Sequence, residues 1–204
     1  DNQITIFNPG AMKNPSGFDF SKINPKECIA IVAPGNLQDM AEYTSTHQKL
    51  GIYTIFDPGQ SLPAWEGEDL ARCISQSNML VSNDYEFALI KDKTGKSDQK
   101  LLETVETIVT TKAENGCDVL TAKGSTHISV VTAANVVDPT GAGDAFRSGL
   151  IKGLIQGESV ERAVMMGNVT GHYAVQRHGT QEHYFTPEEF EEMLEKNFGP
   201  APKD

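Results

Sequence analysis

Three features of the chain predict an α/β fold, a mainly parallel sheet flanked by helices on both faces. Short apolar strands alternate with amphipathic helical segments along most of the sequence, the order that builds such sheets. Runs such as CIAIVA (28–33) are apolar at every position, which suits a strand covered on both sides. No internal repeat or low-complexity linker divides the 204 residues, enough for one domain with a real core.

The elements follow in order. QITIF (3–7) alternates and reads as a half-exposed strand, and the Pro-, Gly- and Asn-rich NPGAMKNPSGFDF after it reads as loop. CIAIVA is a strand. LQDMAEYTSTHQKLG (37–51) has Leu37, Met40, Ala41, Thr44 and His47 near helical spacing, with Gly51 as its stop. IYTIF (52–56) is a strand, DPGQSLP a turn, 67–77 a helix, NMLVS (78–82) a strand, and DYEFALI (84–90) opens a helix before the solvated loop KDKTGKSDQ. Residues 100–116 place Leu101, Leu102, Val105, Ile108 and Val109 on one face of an expected helix ending at Gly116. CDVLTA (117–122) and HISVV (127–131) are strands. Helices are expected at 143–157 and 159–179. A last helix at 186–198 has Thr186 as its N-cap and Pro187 in the first helical position.

Composition excludes several classes. The net charge of −11 argues against a nucleic-acid binder, which needs a basic face. No apolar run approaches the roughly 18–20 residues of a membrane helix, so no membrane partner is expected and the chain reads as cytoplasmic. Cys28, Cys73 and Cys117 are odd in number and lie in or beside apolar segments, which suits buried free thiols. His172, His178 and His183 are spaced six and five apart, which fits no single helix face for a metal. Phe7, Phe18 and Trp65 read more simply as covering a core or loop than as a pocket lining.

One stretch exceeds what a turn requires. DPTGAGDAF (138–146) sets Gly141, Ala142 and Gly143 directly before a helix whose first carboxylate is Asp144. The first N–H groups of a helix lack partners within it. With small residues around them they form an anion hole suited to phosphate. A carboxylate beside such a hole repels the anion unless it has a task, and deprotonating an alcohol that attacks phosphorus is one. The plainer reading of Asp144 is a helix cap. No G-x-x-x-x-G-K-[ST] P-loop is present, and G-A-G-D-A-F lacks the third glycine of a dinucleotide fingerprint.

DPTGAGDAF resembles the C-terminal signature D-[TP]-x-G-A-G-D-x-F of the ribokinase-like (PfkB) carbohydrate and nucleoside kinases. SNDYE (82–86) is similar to the family's N-x-x-E motif through Asn83 and Glu86. FDPGQSLP (56–63), RHGTQEHYFTPEEF (177–190) and ITIFNPGAM (4–12) resemble the bacterial adenosine-kinase-like branch. The resemblance covers essentially the whole chain but only the C-terminal two thirds of a typical member.

It implies an ATP-dependent phosphotransferase acting on a hydroxyl of a nucleoside, adenosine being favoured, or of a sugar. Asp144 is then the general base, and the N–H groups of Gly141, Ala142 and Gly143 hold the transferring phosphoryl. Asn83 and Glu86 help place Mg²⁺ and the phosphates through water, although Glu86 alone reads as a helix-face carboxylate. Asp138 lies near a monovalent-cation site, K⁺ being the candidate ion, although before Pro139 it also reads as a turn residue. The segment around Asn168 flanks the adenine.

Relatives carry T-x-G-x-x-G after the strand read here at 117–122. This chain offers TAKGSTHI, with Thr121 and Gly124 but no clean second glycine, so nucleotide contacts there are less secure. Residues 1–20 are expected to be the remnant of a lid strand and loop that could pair into a homodimer. Residues 21–204 are expected to be the α/β core without its N-terminal strands. Such a chain is expected to be unstable or inactive unless the missing part is supplied. The competing readings are a ribose- or fructose-type sugar kinase and a non-catalytic nucleotide-binding fragment.

Overall fold

The computed structural model describes residues 7–200. The expected strand at 3–7, and with it the lid pairing of a homodimer, lies outside the described residues except for Phe7. The chain forms two compact units, residues 1–106 and 107–204.

The first unit is built on three parallel strands. Strand β1 (Ile29–Val32) pairs with β2 (Tyr53–Phe56), in register from Ile29 with Tyr53 to Val32 with Phe56, and β2 pairs with β3 (Met79–Asn83). Helices α1 (Leu37–Leu50) and α2 (Gly67–Ser75) supply the crossovers, and α3 (Asp84–Thr94) and the short α4 (Asp98–Leu102) follow β3. Asn36 caps α1 through its side chain, and Gly51 ends it in the left-handed conformation (φ 71°), as expected. Ile55, Phe56, Leu70, Ile74, Met79, Leu80 and Ile90 are fully buried, which is why β2 and β3 carry consecutive apolar positions; β1, expected to be covered on both sides, is buried only at Val32, with Ile29 and Ala30 half-buried and Ile31 exposed. Trp65 is buried edge-to-face against Phe56, whereas Phe18 is exposed.

The second unit opens with β4 (Thr107–Thr111), antiparallel to β5 (Cys117–Thr121), which is antiparallel in turn to β6 (Gly124–Ile128). The helix expected over 100–116 is therefore corrected. It stops at Leu102, and Thr104 donates its hydroxyl to the Leu101 carbonyl (2.8 Å). The run TIVTT is β-branched at every position, and four of its five residues are buried, which favours an extended backbone. Helices α5 (Ala142–Ile155), α6 (Val160–Ala174) and α7 (Pro187–Phe198) complete the unit. Thr186 and Glu189 cap α7 reciprocally.

Helix α6 ends five residues earlier than the pattern suggests, because the Val175 carbonyl accepts from the N–H groups of Val137 (2.7 Å) and Asp138 (3.2 Å). A core of Val131, Met166, Val169, Phe190 and Leu194 lies beneath, with Phe185 stacked on Tyr173 at 4.6 Å. The α/β class is as the alternation predicts, with a parallel first unit and an antiparallel hairpin pair in the second. Cys28, Cys73 and Cys117 are free, the last two buried.

Candidate active site

The second unit holds the glycine-rich turn, and Asp138 organises it. Its Oδ1 accepts from the Thr140 N–H (2.9 Å) and its Oδ2 from the Gly179 N–H (3.0 Å), with His178 Nδ1 4.0 Å away. The Gly179 N–H, then the Thr140 donors, stabilise the charged form and hold this carboxyl at about 2. One carboxylate thereby ties the loop before α5 to the loop after α6.

Gly141 is required at the next position. Its φ is +85°, and a Cβ there would sit 3.0 Å from Thr180 Cα and Cβ. The backbone conformation and the close approach of the second loop both select glycine. Gly143 differs. It is helical, with no positive φ, and a Cβ would reach only Arg147 Nη1, at 3.5 Å. Gly143 is therefore not required by backbone geometry, and its small size leaves the start of the helix open to approach.

The donors at that helix start are also refined. The Ala142 N–H donates to the Pro139 carbonyl (3.1 Å), and the Ala145 N–H donates to Gly141 (2.9 Å). The N–H groups of Gly143 and Asp144 make no hydrogen bond among the described residues. They are the orphan donors at the positive end of the helix dipole. Ala142 is therefore not one of the free donors.

The Asp144 side chain is 73% exposed, and its Oδ1 accepts from Arg147 Nη2. This pair is at the surface, so the carboxylate is not locked in a buried ion pair. Helix α5 is held rigidly by α6. Gly149 and Gly153 admit the α6 backbone at Met166 and Ala163, Gly167 admits Phe146, and Thr170 Oγ1 donates to the Ala145 carbonyl (2.6 Å).

Asn168, expected to lie in the segment flanking the adenine, is engaged within the protein. It is 6% exposed, its Oδ1 accepts from Cys117 Sγ (3.1 Å), and its Nδ2 donates to the Ser129 carbonyl (3.0 Å). With both ends of its amide engaged, the side chain anchors α6 to β5 and to the segment after β6. Burial pushes the Cys117 thiol up to about 12, against the opposing pull of the Asn168 hydrogen bond.

Thr121 and Gly124 flank the two-residue turn of the β5–β6 hairpin, where Thr121 Oγ1 accepts from the Lys123 N–H (3.2 Å). The T-x-G-x-x-G spacing falls instead on Thr111–Gly116, the β4–β5 connection, with Ala113 in the place of the first glycine. Ala113 has φ +48°, the one positive value at a non-glycine among the described residues. Gly116 has φ +78°, and a Cβ there would collide with the Ile128 carbonyl. Beside this loop, burial would raise Asp118, but hydrogen bonds from Lys112 and His127 outweigh it and hold the carboxyl below its ordinary value.

In the first unit, Asn83 and Glu86 form a capping box at the start of α3. The Glu86 N–H donates to Asn83 Oδ1 (2.7 Å), and the Asn83 N–H donates to Glu86 Oε2 (2.8 Å). Glu86 Oε1 has no hydrogen bond among the described residues. No group of three or more His, Cys, Asp or Glu that could hold a metal occurs among those residues. The pair alone offers too few carboxylates to enclose a divalent ion without further oxygen ligands.

Among the described residues no helix is long and apolar enough to cross a membrane. The chain is 30% identical over 200 residues to a nucleoside kinase of Methanocaldococcus jannaschii, covering 97% of this chain and 64% of the relative. The solved structure of a Burkholderia thailandensis nucleoside kinase in complex with inosine superposes with a TM-score of 0.89 at 35% identity, over 98% of this chain and 66% of that one. A Thermotoga maritima ribokinase, at 23% identity and a TM-score of 0.69, covering 85% of this chain and 60% of its own, shares the fold. The chain thus spans about two thirds of the length of these nucleoside kinases. The pfkB family carbohydrate kinase domain is matched over residues 20–187. That match takes in both the capping box and the glycine-rich turn, and the chain belongs to the pfkB family of carbohydrate kinases.

Proposed function

We propose that this chain carries the phosphoryl-transfer site of an ATP-dependent nucleoside kinase, with adenosine or another purine nucleoside as acceptor. The observation that carries the reading is the start of α5. There the unpartnered N–H groups of Gly143 and Asp144 adjoin an exposed carboxylate on a helix fixed by close packing. Asp144 accepts the proton of the acceptor hydroxyl as that oxygen bonds to the γ-phosphorus. The bond from phosphorus to the ADP oxygen breaks. General-base assistance of this kind contributes about 10²–10⁴-fold. The N–H groups of Gly143 and Asp144, with Gly141 setting their direction, receive the charge on the transferring oxygens.

Glu86 Oε1 and the Asn83 side chain are the groups that would meet Mg²⁺ through water, an ion that neutralises phosphate charge when bound. Asp138, ionised down to about 2, is assigned to the neighbourhood of a monovalent cation such as K⁺. Nucleotide contact is assigned to Thr111–Gly116 in preference to Thr121 and Gly124. The Thr121 oxygen accepts from its own turn at Lys123, and the motif spacing, with Ala113 in place of the first glycine, falls on 111–116. The nucleoside assignment is supported by the Burkholderia thailandensis relative, whose structures hold inosine and ADP-inosine.

The test is an ATP-consumption assay of the complete protein bearing this chain against adenosine, inosine, ribose and fructose. Turnover with nucleosides well above that with free sugars is expected. Preference for a sugar would overturn the acceptor assignment. Nucleotide binding without phosphorylation of any acceptor would overturn the kinase reading itself.

A further inference from the structure

We propose that Arg147 is a positioning residue for this transfer: it grips Oδ1 of Asp144 and so turns Oδ2 toward the incoming hydroxyl. The inference rests on the reading of Asp144 as the base. The two side chains are three apart on α5 and share a face, and Arg147 Nη2 donates to Asp144 Oδ1. No other hydrogen bond to the Asp144 carboxylate is made among the described residues, which leaves Oδ2 to accept a proton.

The exposures of the partners are unequal. Arg147 is 22% exposed and Asp144 73%. The guanidinium is thus the held member and the carboxylate the free one. An exposed Asp samples several rotamers unless something fixes it, and a planar guanidinium on one oxygen fixes both the rotamer and the tilt of the carboxyl plane. Most exposed i,i+3 pairs contribute little to stability. Here the consequence is directional: a base pointed at its proton in the ground state needs no reorientation during the reaction.

The experiment is a double-mutant cycle on the complete protein, using Arg147→Met, Asp144→Asn and the pair. Folding is checked by thermal melting, and kcat and KM are read for ATP and nucleoside. R147M is expected to lower kcat by about tenfold to a hundredfold, the scale of a misplaced reacting group, with both KM values within about twofold. In the D144N background R147M is expected to change kcat no further, because its effect passes through Asp144. R147K, which restores a charge without the planar fork, is expected to recover part of kcat, and it is the readout should R147M fold poorly.

An unchanged kcat in a folded R147M or R147K overturns the proposal. So does a further drop in the D144N background, which would mean that Arg147 acts on the phosphoryl directly. Full turnover by D144N alone would instead remove the base assignment beneath it, a result separable from either of these.

Discussion

Replacing each glycine of the G-A-G turn with alanine should separate stability from chemistry. Gly141 sits at φ +85°, where a side chain costs about 1–2 kcal/mol. Its new methyl would meet Thr180 Cα and Cβ at 3.0 Å, so the 178–180 loop must yield by a few tenths of an ångström. We take about 1 kcal/mol for that crowding. The sum for Gly141→Ala is about 2–3 kcal/mol, which in a chain of this size lowers Tm by about 4–12 °C. Gly143→Ala carries neither penalty. It is helical, its methyl makes only an ordinary contact with Arg147, and alanine in place of glycine favours a helix by up to about 1 kcal/mol. Its Tm should be unchanged or up to about 4 °C higher. On the proposed reading the phosphoryl group approaches the N–H donors of Gly143 and Asp144 past that methyl, and loss of one such donor lowers kcat about a hundredfold or more. Circular-dichroism melts and steady-state turnover on the two variants are the assay. A G143A protein that melts as early as G141A, or that retains parental kcat, refutes this division of roles.

Three further outcomes are expected. Asp138 titrates at about 2 in the folded protein, below the roughly 3.9 of an unfolded aspartate. Its stabilising effect is therefore complete above about pH 4 and is lost as pH falls toward 2. Asp138→Asn should flatten the Tm-against-pH curve in that window, and an unaltered curve would show that the Thr140 and Gly179 contacts do not hold. Asn83→Ala removes the cap of α3 and should cost about 1 kcal/mol, a fall in Tm of about 2–4 °C; an unshifted melt contradicts the reciprocal cap. Glu86→Gln keeps an oxygen for the Asn83 N–H and should leave Tm within about 2 °C, while raising the Mg²⁺ concentration needed for half-maximal turnover. An unchanged Mg²⁺ requirement removes Glu86 from the metal's surroundings.

The parts of the chain that could be read in advance are those where a local pattern has one physical solution. DPTGAGDAF has to be a tight turn opening a helix, and it is. Gly51 had to end α1, and Thr186 with Pro187 had to begin α7. The misreading at 107–116 arose because Leu101, Leu102, Val105, Ile108 and Val109 can be laid on a helical face even though five consecutive β-branched residues argue for strand. With β4 read as helix, the T-x-A-x-x-G spacing at Thr111–Gly116 has no strand before it; in the structure β4 (Thr107–Thr111) leads directly into it. Asn168 shows a different limit: whether a polar residue on an apolar helix faces a ligand or anchors the core depends on tertiary partners, here Cys117 and Ser129. Arg147 stands at i+3 from Asp144, a legible spacing, but the folded helix is what brings its guanidinium onto the Asp144 carboxylate.

The most direct measurement is single-turnover phosphoryl transfer by Asp144→Asn with saturating ATP and nucleoside, beside equilibrium nucleotide binding on the same preparation. The account predicts nucleotide affinity within about twofold of the parent and transfer slowed by about 10²–10⁴-fold. Transfer at the parental rate with binding intact would contradict it.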